Sequence, residues 1–134
     1  MLLGLFFLLA LVPAGCARDS DSAQPGQPGD DLTSMTLPQA LSSGKPTLAE
    51  FGSVTCVPCK EMRPILAEIA QSFEGRLNVV IVEVYQQKTI TQWAKIMAIP
   101  TQIIYDDSGK EVTRHVGFWG KDQIIAELNK LGID

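Results

Sequence analysis

Two cysteines spaced C-x-x-C, Cys56 and Cys59, stand where an apolar run ends and an amphipathic run begins. Residues 47–51 read as a buried strand. Residues 59–73 then put Met62, Ile65, Leu66, Ile69, Ala70 and Phe73 on one helical face, with Lys60, Glu61, Glu68 and Gln71 largely on the other. The pair is therefore expected at a helix N-terminus, whose unsatisfied N–H groups and partial positive charge favour a nearby anion. Thiolate is the reactive form of cysteine, and such a position lowers its pKa from about 8.5 toward about 7 or below. The placement points to thiol–disulfide chemistry.

Other uses of these residues fit less well. A structural zinc site takes four Cys or His ligands. Beyond this pair the chain offers Cys16, in the leader, and its one histidine, His115, so no metal site is expected. Covalent haem attachment requires C-x-x-C-H, and Lys60 stands where that histidine belongs. The net charge is -4 and no basic block occurs, which argues against nucleic acid as a partner. No organic cofactor is implied. A chain of 134 residues, 46% hydrophobic, is long enough for one domain with a real core.

The N-terminus has a different character. Residues 2–12 are apolar apart from Gly4, too short a run for a membrane-spanning helix of about 20 residues but of the length found in a signal peptide. Ala14 and Gly15 then precede Cys16. Residues 1–16 resemble a bacterial lipoprotein signal, which implies lipidation of Cys16; ordinary cleavage near Ala14 and an uncleaved anchor are the alternatives. Each implies export, where a disulfide is chemically permitted. Residues 17–34, rich in Asp, Ser, Gln, Pro and Gly, are expected to form a disordered linker that holds a domain over 35–134 off the membrane.

Within that domain a short helix is expected at 36–43 and a fully covered strand at 77–85, around Val79-Val80-Ile81-Val82. A weaker helix at 89–97 would turn Ile90, Trp93, Ala94 and Met97 inward. A strand at 101–105, a turn at Asp106-Asp107-Ser108-Gly109 and a strand at 111–116 make a hairpin, and a helix at 121–131 closes the chain. The order predicts an α/β fold, a mixed sheet flanked by helices on both faces. His115 is expected to be exposed. Phe118 and Trp119 either rim a substrate site or pack the last helix onto the sheet.

Cys56-Val57-Pro58-Cys59-Lys60 at this junction, Pro64 in the helix, Ile99-Pro100-Thr101 before a strand and Val116-Gly117 closing the hairpin together resemble the thioredoxin superfamily, over about residues 47–131. The resemblance implies a thioredoxin fold. It implies that Cys56 is the exposed attacking cysteine, that Cys59 is the buried partner resolving a mixed disulfide, and that Pro58 between them influences the potential. It implies a cis Ile99–Pro100 bond that turns the Ile99 backbone toward an incoming peptide, with Val57, Gly117 and Phe118 completing a substrate surface. Glu50, six residues before Cys56, stands where the family often keeps a buried acid that exchanges a proton with the second sulfur; the alternative is an acid at a strand edge reaching solvent.

Three positions depart from the pattern. Thr55 replaces the usual Trp, Gly52 replaces an aromatic, and Ile81 stands where a lysine often partners the acid. Without that lysine, Glu50 is expected to be desolvated without compensation and its pKa raised. The resemblance implies an exported thiol–disulfide oxidoreductase, expected to be a monomer, with protein thiols and disulfides as clients. Ile99 is similar to the residue found in reducing members. Related exported proteins draw electrons from a DsbD- or CcdA-type membrane donor, often for cytochrome c biogenesis. The alternatives are a disulfide oxidase or isomerase, or a non-catalytic module that holds thiol clients or a metal.

Overall fold

The computed structural model describes Leu32 and residues 34–134. The expected signal segment, Cys16 and nearly all of the linker lie outside the described residues. Among the described residues eight elements follow in order: α1 (Leu37–Leu41), β1 (Thr47–Gly52), α2 (Val57–Ser72), β2 (Asn78–Glu83), α3 (Lys88–Trp93), β3 (Thr101–Tyr105), β4 (Glu111–Val116) and α4 (Lys121–Lys130). The expected α/β architecture is present. Among the described residues the sheet has the order β2-β1-β3-β4, with β1 parallel to β2 and antiparallel to β3, and β3 antiparallel to β4.

Side chains on a strand alternate between faces, and β1 divides its residues accordingly. Leu48 packs in a core with Met62, Leu66 and Ile69 of α2, Val79 and Ile81 of β2, Ile104 of β3, and Ile124 and Leu128 of α4. Ala49 and Phe51 point the other way, into a second core with Leu37 and Ala40 of α1, Val80 and Val82 of β2, and Ile103 and Tyr105 of β3. All six residues of β1 are buried. Asn78 ties α1 to the sheet: its Nδ2 donates to Ala40 O at 3.3 Å and Ser43 Oγ at 2.8 Å. Pro64 lies inside α2 without splitting it.

Three expectations are corrected. Leu32, assigned to the linker, is only 8% exposed and belongs to the core beneath α2 and α4, so the folded domain starts before residue 35. The third helix ends at Trp93 rather than running to residue 97. Lys95 adopts a left-handed backbone (φ 52°), which breaks the helical path, and Arg114 Nη2 caps the freed Ala94 carbonyl at 2.9 Å. Met97 is consequently 94% exposed and Trp93 59% exposed, although its ring stacks on Tyr105; neither is a core residue. His115 is not a freely exposed strand residue: it is half-buried, its ring stacked on Trp119 with centroids 4.7 Å apart.

Candidate functional site

The row Phe51–Thr101–Val116 pairs across β1, β3 and β4, so the end of β1, the start of β3 and the end of β4 meet at one edge of the sheet. The segments leaving that edge carry every site residue expected within the domain except Glu50, which lies one residue inside it on β1. This is the end of a parallel pair where open α/β sheets ordinarily bind ligands.

Between β1 and α2 the chain makes a polar turn. Ser53 Oγ lies 3.0 Å from Thr55 Oγ1 and accepts from Thr55 N, and Cys56 N donates to Ser53 O at 3.1 Å. Glu83 Oε2 accepts from Val54 N at 3.0 Å, reaching across from β2. Thr55, where the resemblance has Trp, thus helps to hold the turn by hydrogen bonding. Glu83 was not singled out in the sequence; an acid ending an apolar strand gives no local sign of its partner.

Cys56 is the N-cap of α2 and its Sγ accepts from Cys59 N at 3.3 Å. The sulfur therefore faces the free N–H end of a 16-residue helix, where negative charge is favoured. Cys56 and Cys59 are joined in a disulfide. Cys56 is partly exposed, whereas Cys59 is fully buried, which is the asymmetry an attacking and a resolving sulfur require. Val57 is 64% exposed beside them and Pro58 is partly exposed. The Ile99–Pro100 bond is cis, Pro100 is buried, and Pro100 O accepts from Gly117 N at 2.8 Å. Gly117 has φ +101°, a conformation that residues with a Cβ rarely adopt. The two aromatics that follow divide the roles considered for them: Phe118 is half exposed at this edge, and Trp119 is buried against α4.

Glu50 is fully buried, which excludes an acid reaching solvent, and among the described residues both its carboxyl oxygens lack a hydrogen-bond partner. Its partners in register are Ile81 on β2 and Gln102 on β3. Burial pushes its pKa up from 4.5 to about 7; Arg63 pulls it down and Glu83 adds to the rise. The carboxyl also lies close to the disulfide. A Cβ placed on Gly52 would overlap Glu50 Oε1 and lie 3.0 Å from Cys59 Sγ. The missing side chain at Gly52 is what lets acid and sulfur share that space. An acid that titrates near neutrality beside the buried sulfur can take its proton or return it.

Gln102 was missed in the sequence. It is fully buried, its Nε2 donates to Met62 Sδ at 3.1 Å, and its Oε1 has no partner among the described residues. The one available signal was a long polar side chain in the otherwise apolar-flanked run Thr101-Gln102-Ile103-Ile104-Tyr105.

Comparison with known proteins agrees with this geometry. The family model for thioredoxin matches residues 31–130. A thioredoxin of Alicyclobacillus acidocaldarius subsp. acidocaldarius is 33% identical over 97 residues, which is 72% of this chain and 91% of that protein. A thioredoxin of Staphylococcus aureus is 32% identical over 83 residues, 62% of this chain and 79% of that protein. A bifunctional thioredoxin reductase/thioredoxin of Mycobacterium leprae is 35% identical over 89 residues, 66% of this chain but 19% of that longer protein.

Proposed function

The chain belongs to the thioredoxin family and is a thiol–disulfide oxidoreductase, and from that premise we propose that it works as a membrane-tethered reductant of protein disulfides outside the cytoplasm. The observation that carries the chemistry is the paired exposure of Cys56 and burial of Cys59 at the start of α2, with the Glu50 carboxyl beside the buried sulfur.

In the reducing direction the Cys56 thiolate attacks one sulfur of a client disulfide. The other client sulfur leaves as a thiolate and takes a proton from solvent. Glu50, as carboxylate, removes the Cys59 proton, and the Cys59 thiolate attacks Cys56 Sγ. The second client sulfur leaves; the client has gained two electrons and the Cys56–Cys59 disulfide has formed. Recharging requires an external dithiol. Val57, Pro58, Ile99, Pro100, Gly117 and Phe118 form the client surface in this reading. Exposed Val54, Tyr85 and Met97, on segments leaving the same edge, widen its apolar rim.

Ile99 before Pro100 supports reduction over oxidation. The apolar leader and Cys16 support export and lipid tethering, and a DsbD- or CcdA-type membrane donor is the electron source such a location calls for, with cytochrome c biogenesis as one use. Equilibration of the pair against dithiothreitol tests the direction: a potential near about -270 mV supports a reductant, and one near about -120 mV supports an oxidase. A Cys59→Ala variant is expected to accumulate clients as mixed disulfides; a non-redox binder yields none. Fatty-acid labelling that disappears in Cys16→Ser tests the tether.

A further inference from the structure

Glu50 and Gln102 stand directly opposite each other on neighbouring antiparallel strands, and both are fully buried. Residues so placed share a face of the sheet, with Cβ atoms about 4.5–5.5 Å apart. Among the described residues both Glu50 carboxyl oxygens and Gln102 Oε1 lack partners, so three unpaired buried polar atoms lie on the same face of the sheet. The Gln102 NH2 is held, among the described residues, by Met62 Sδ alone, and a thioether is a weak acceptor that is readily given up. A buried polar group left unpaired is costly, and each of these two side chains can satisfy the other.

We propose that Gln102 is a positioning residue for the Glu50 proton. Its side-chain carbonyl accepts the O–H of the carboxylic acid, and its NH2 leaves Met62 and turns to the carboxylate once the proton has gone. One rotatable amide thereby serves both protonation states without moving the backbone. The proposal deepens the redox reading above and rests on it for the use made of the proton.

The groups that face Glu50 leave this task to Gln102. On β2, Ile81 is apolar, and Glu83 acts on the acid only by repulsion. On α2, Arg63 attracts the carboxylate at a distance without bonding to it, and Cys59 offers a sulfur. His115 on β4 faces Gln102 across the next strand pair, and its Nε2 lies 3.2 Å from Phe118 O.

A hydrogen bond to an ionised group is stronger than one to its neutral form. Gln102 therefore favours the carboxylate on balance, and removing its amide makes the acid harder to ionise. The test is a pH titration of the Glu50 carboxyl carbon by 13C NMR in the oxidised full chain, for wild type, Gln102→Met and Gln102→Leu. Both variants are expected to titrate about one pH unit above the wild type. A midpoint that stays or falls in a variant with wild-type circular dichroism overturns the proposal. Should both variants unfold, the infrared carboxylic C=O stretch of the wild type at pH 5 decides. A frequency shifted by hydrogen bonding supports the pairing, and a free-acid frequency refutes it. Disulfide reduction is measured in parallel. A chain that shows the shift but reduces no client retains the pairing and loses the redox reading; active variants with an unmoved midpoint mean the reverse.

Discussion

The two faces of the sheet are built from the same strands but serve different ends. On the α1 side, β1 contributes Ala49 and Phe51, β2 contributes Val80 and Val82, and β3 contributes Ile103 and Tyr105. On the α2 side the same three strands contribute Leu48 and Glu50, Val79 and Ile81, and Gln102 and Ile104. Burial is equally complete on β1 and β3, yet among the described residues only the α2 face places a carboxyl and a carboxamide with unpaired oxygens in its interior. The α1 face is apolar around α1 except for the Tyr105 hydroxyl, a neutral group buried without a partner among the described residues. The α2 face buries an ionisable group, Glu50 beside Cys59, with Gln102 opposite it; such groups are destabilising and are retained where function uses them.

Truncating the apolar face gives the largest loss. Phe51→Ala empties a fully buried site and is expected to cost about 3–5 kcal/mol in urea unfolding. The cost should be the same at pH 5 and pH 8, since no titrating group is removed.

The acid on the other face should behave oppositely. Its folded pKa, about 7, exceeds the ordinary 4.5, so the folded chain keeps a proton that the unfolded chain releases between those values. Stability contributed by the neutral acid is complete below about pH 4.5 and is lost as pH rises through about 7, a fall of about 3 kcal/mol. Glu50→Gln should flatten that dependence and make the chain more stable than wild type at pH 8. Unfolding midpoints for the two proteins at pH 5, 6.5 and 8 check the sign; parallel curves would mean that the acid is not uncompensated.

A smaller change in stability is expected from Gly52→Ala, which separates the acid from the sulfur without removing either. The added Cβ overlaps Glu50 Oε1, the end of a flexible side chain, so the carboxyl is displaced at a cost of about 1–3 kcal/mol. Resolution of the mixed disulfide should slow by about ten- to a hundredfold, because a proton acceptor has been misplaced. Thermal melts and quench-flow on the one variant separate the two effects.

Much of this contrast was legible in the sequence, for identifiable reasons. Local pattern places Cys56 and Cys59 at a strand–helix junction, because apolar runs and helical periodicity are short-range signals. The elevated pKa of Glu50 followed from one missing lysine, at Ile81, once the resemblance had aligned the strands. Gln102 stayed hidden because its burial depends on β3 lying between β1 and β4, and its partner on the register with β1. The length of α3 was overestimated because periodicity continues to Met97, while a single left-handed residue, Lys95, ends the helix. Leu32 looked like linker because its neighbours are polar; its burial is tertiary.

The most direct test of the redox role of the buried acid is quench-flow measurement of mixed-disulfide resolution from pH 5 to 9, in wild type and Glu50→Gln. The wild-type rate should rise through about pH 7 as the Glu50 carboxylate forms. Glu50→Gln should lose that inflection and run about a hundredfold slower at neutral pH. Equal rates with the same pH profile in both proteins would show that Cys59 loses its proton without help from Glu50, contradicting the account.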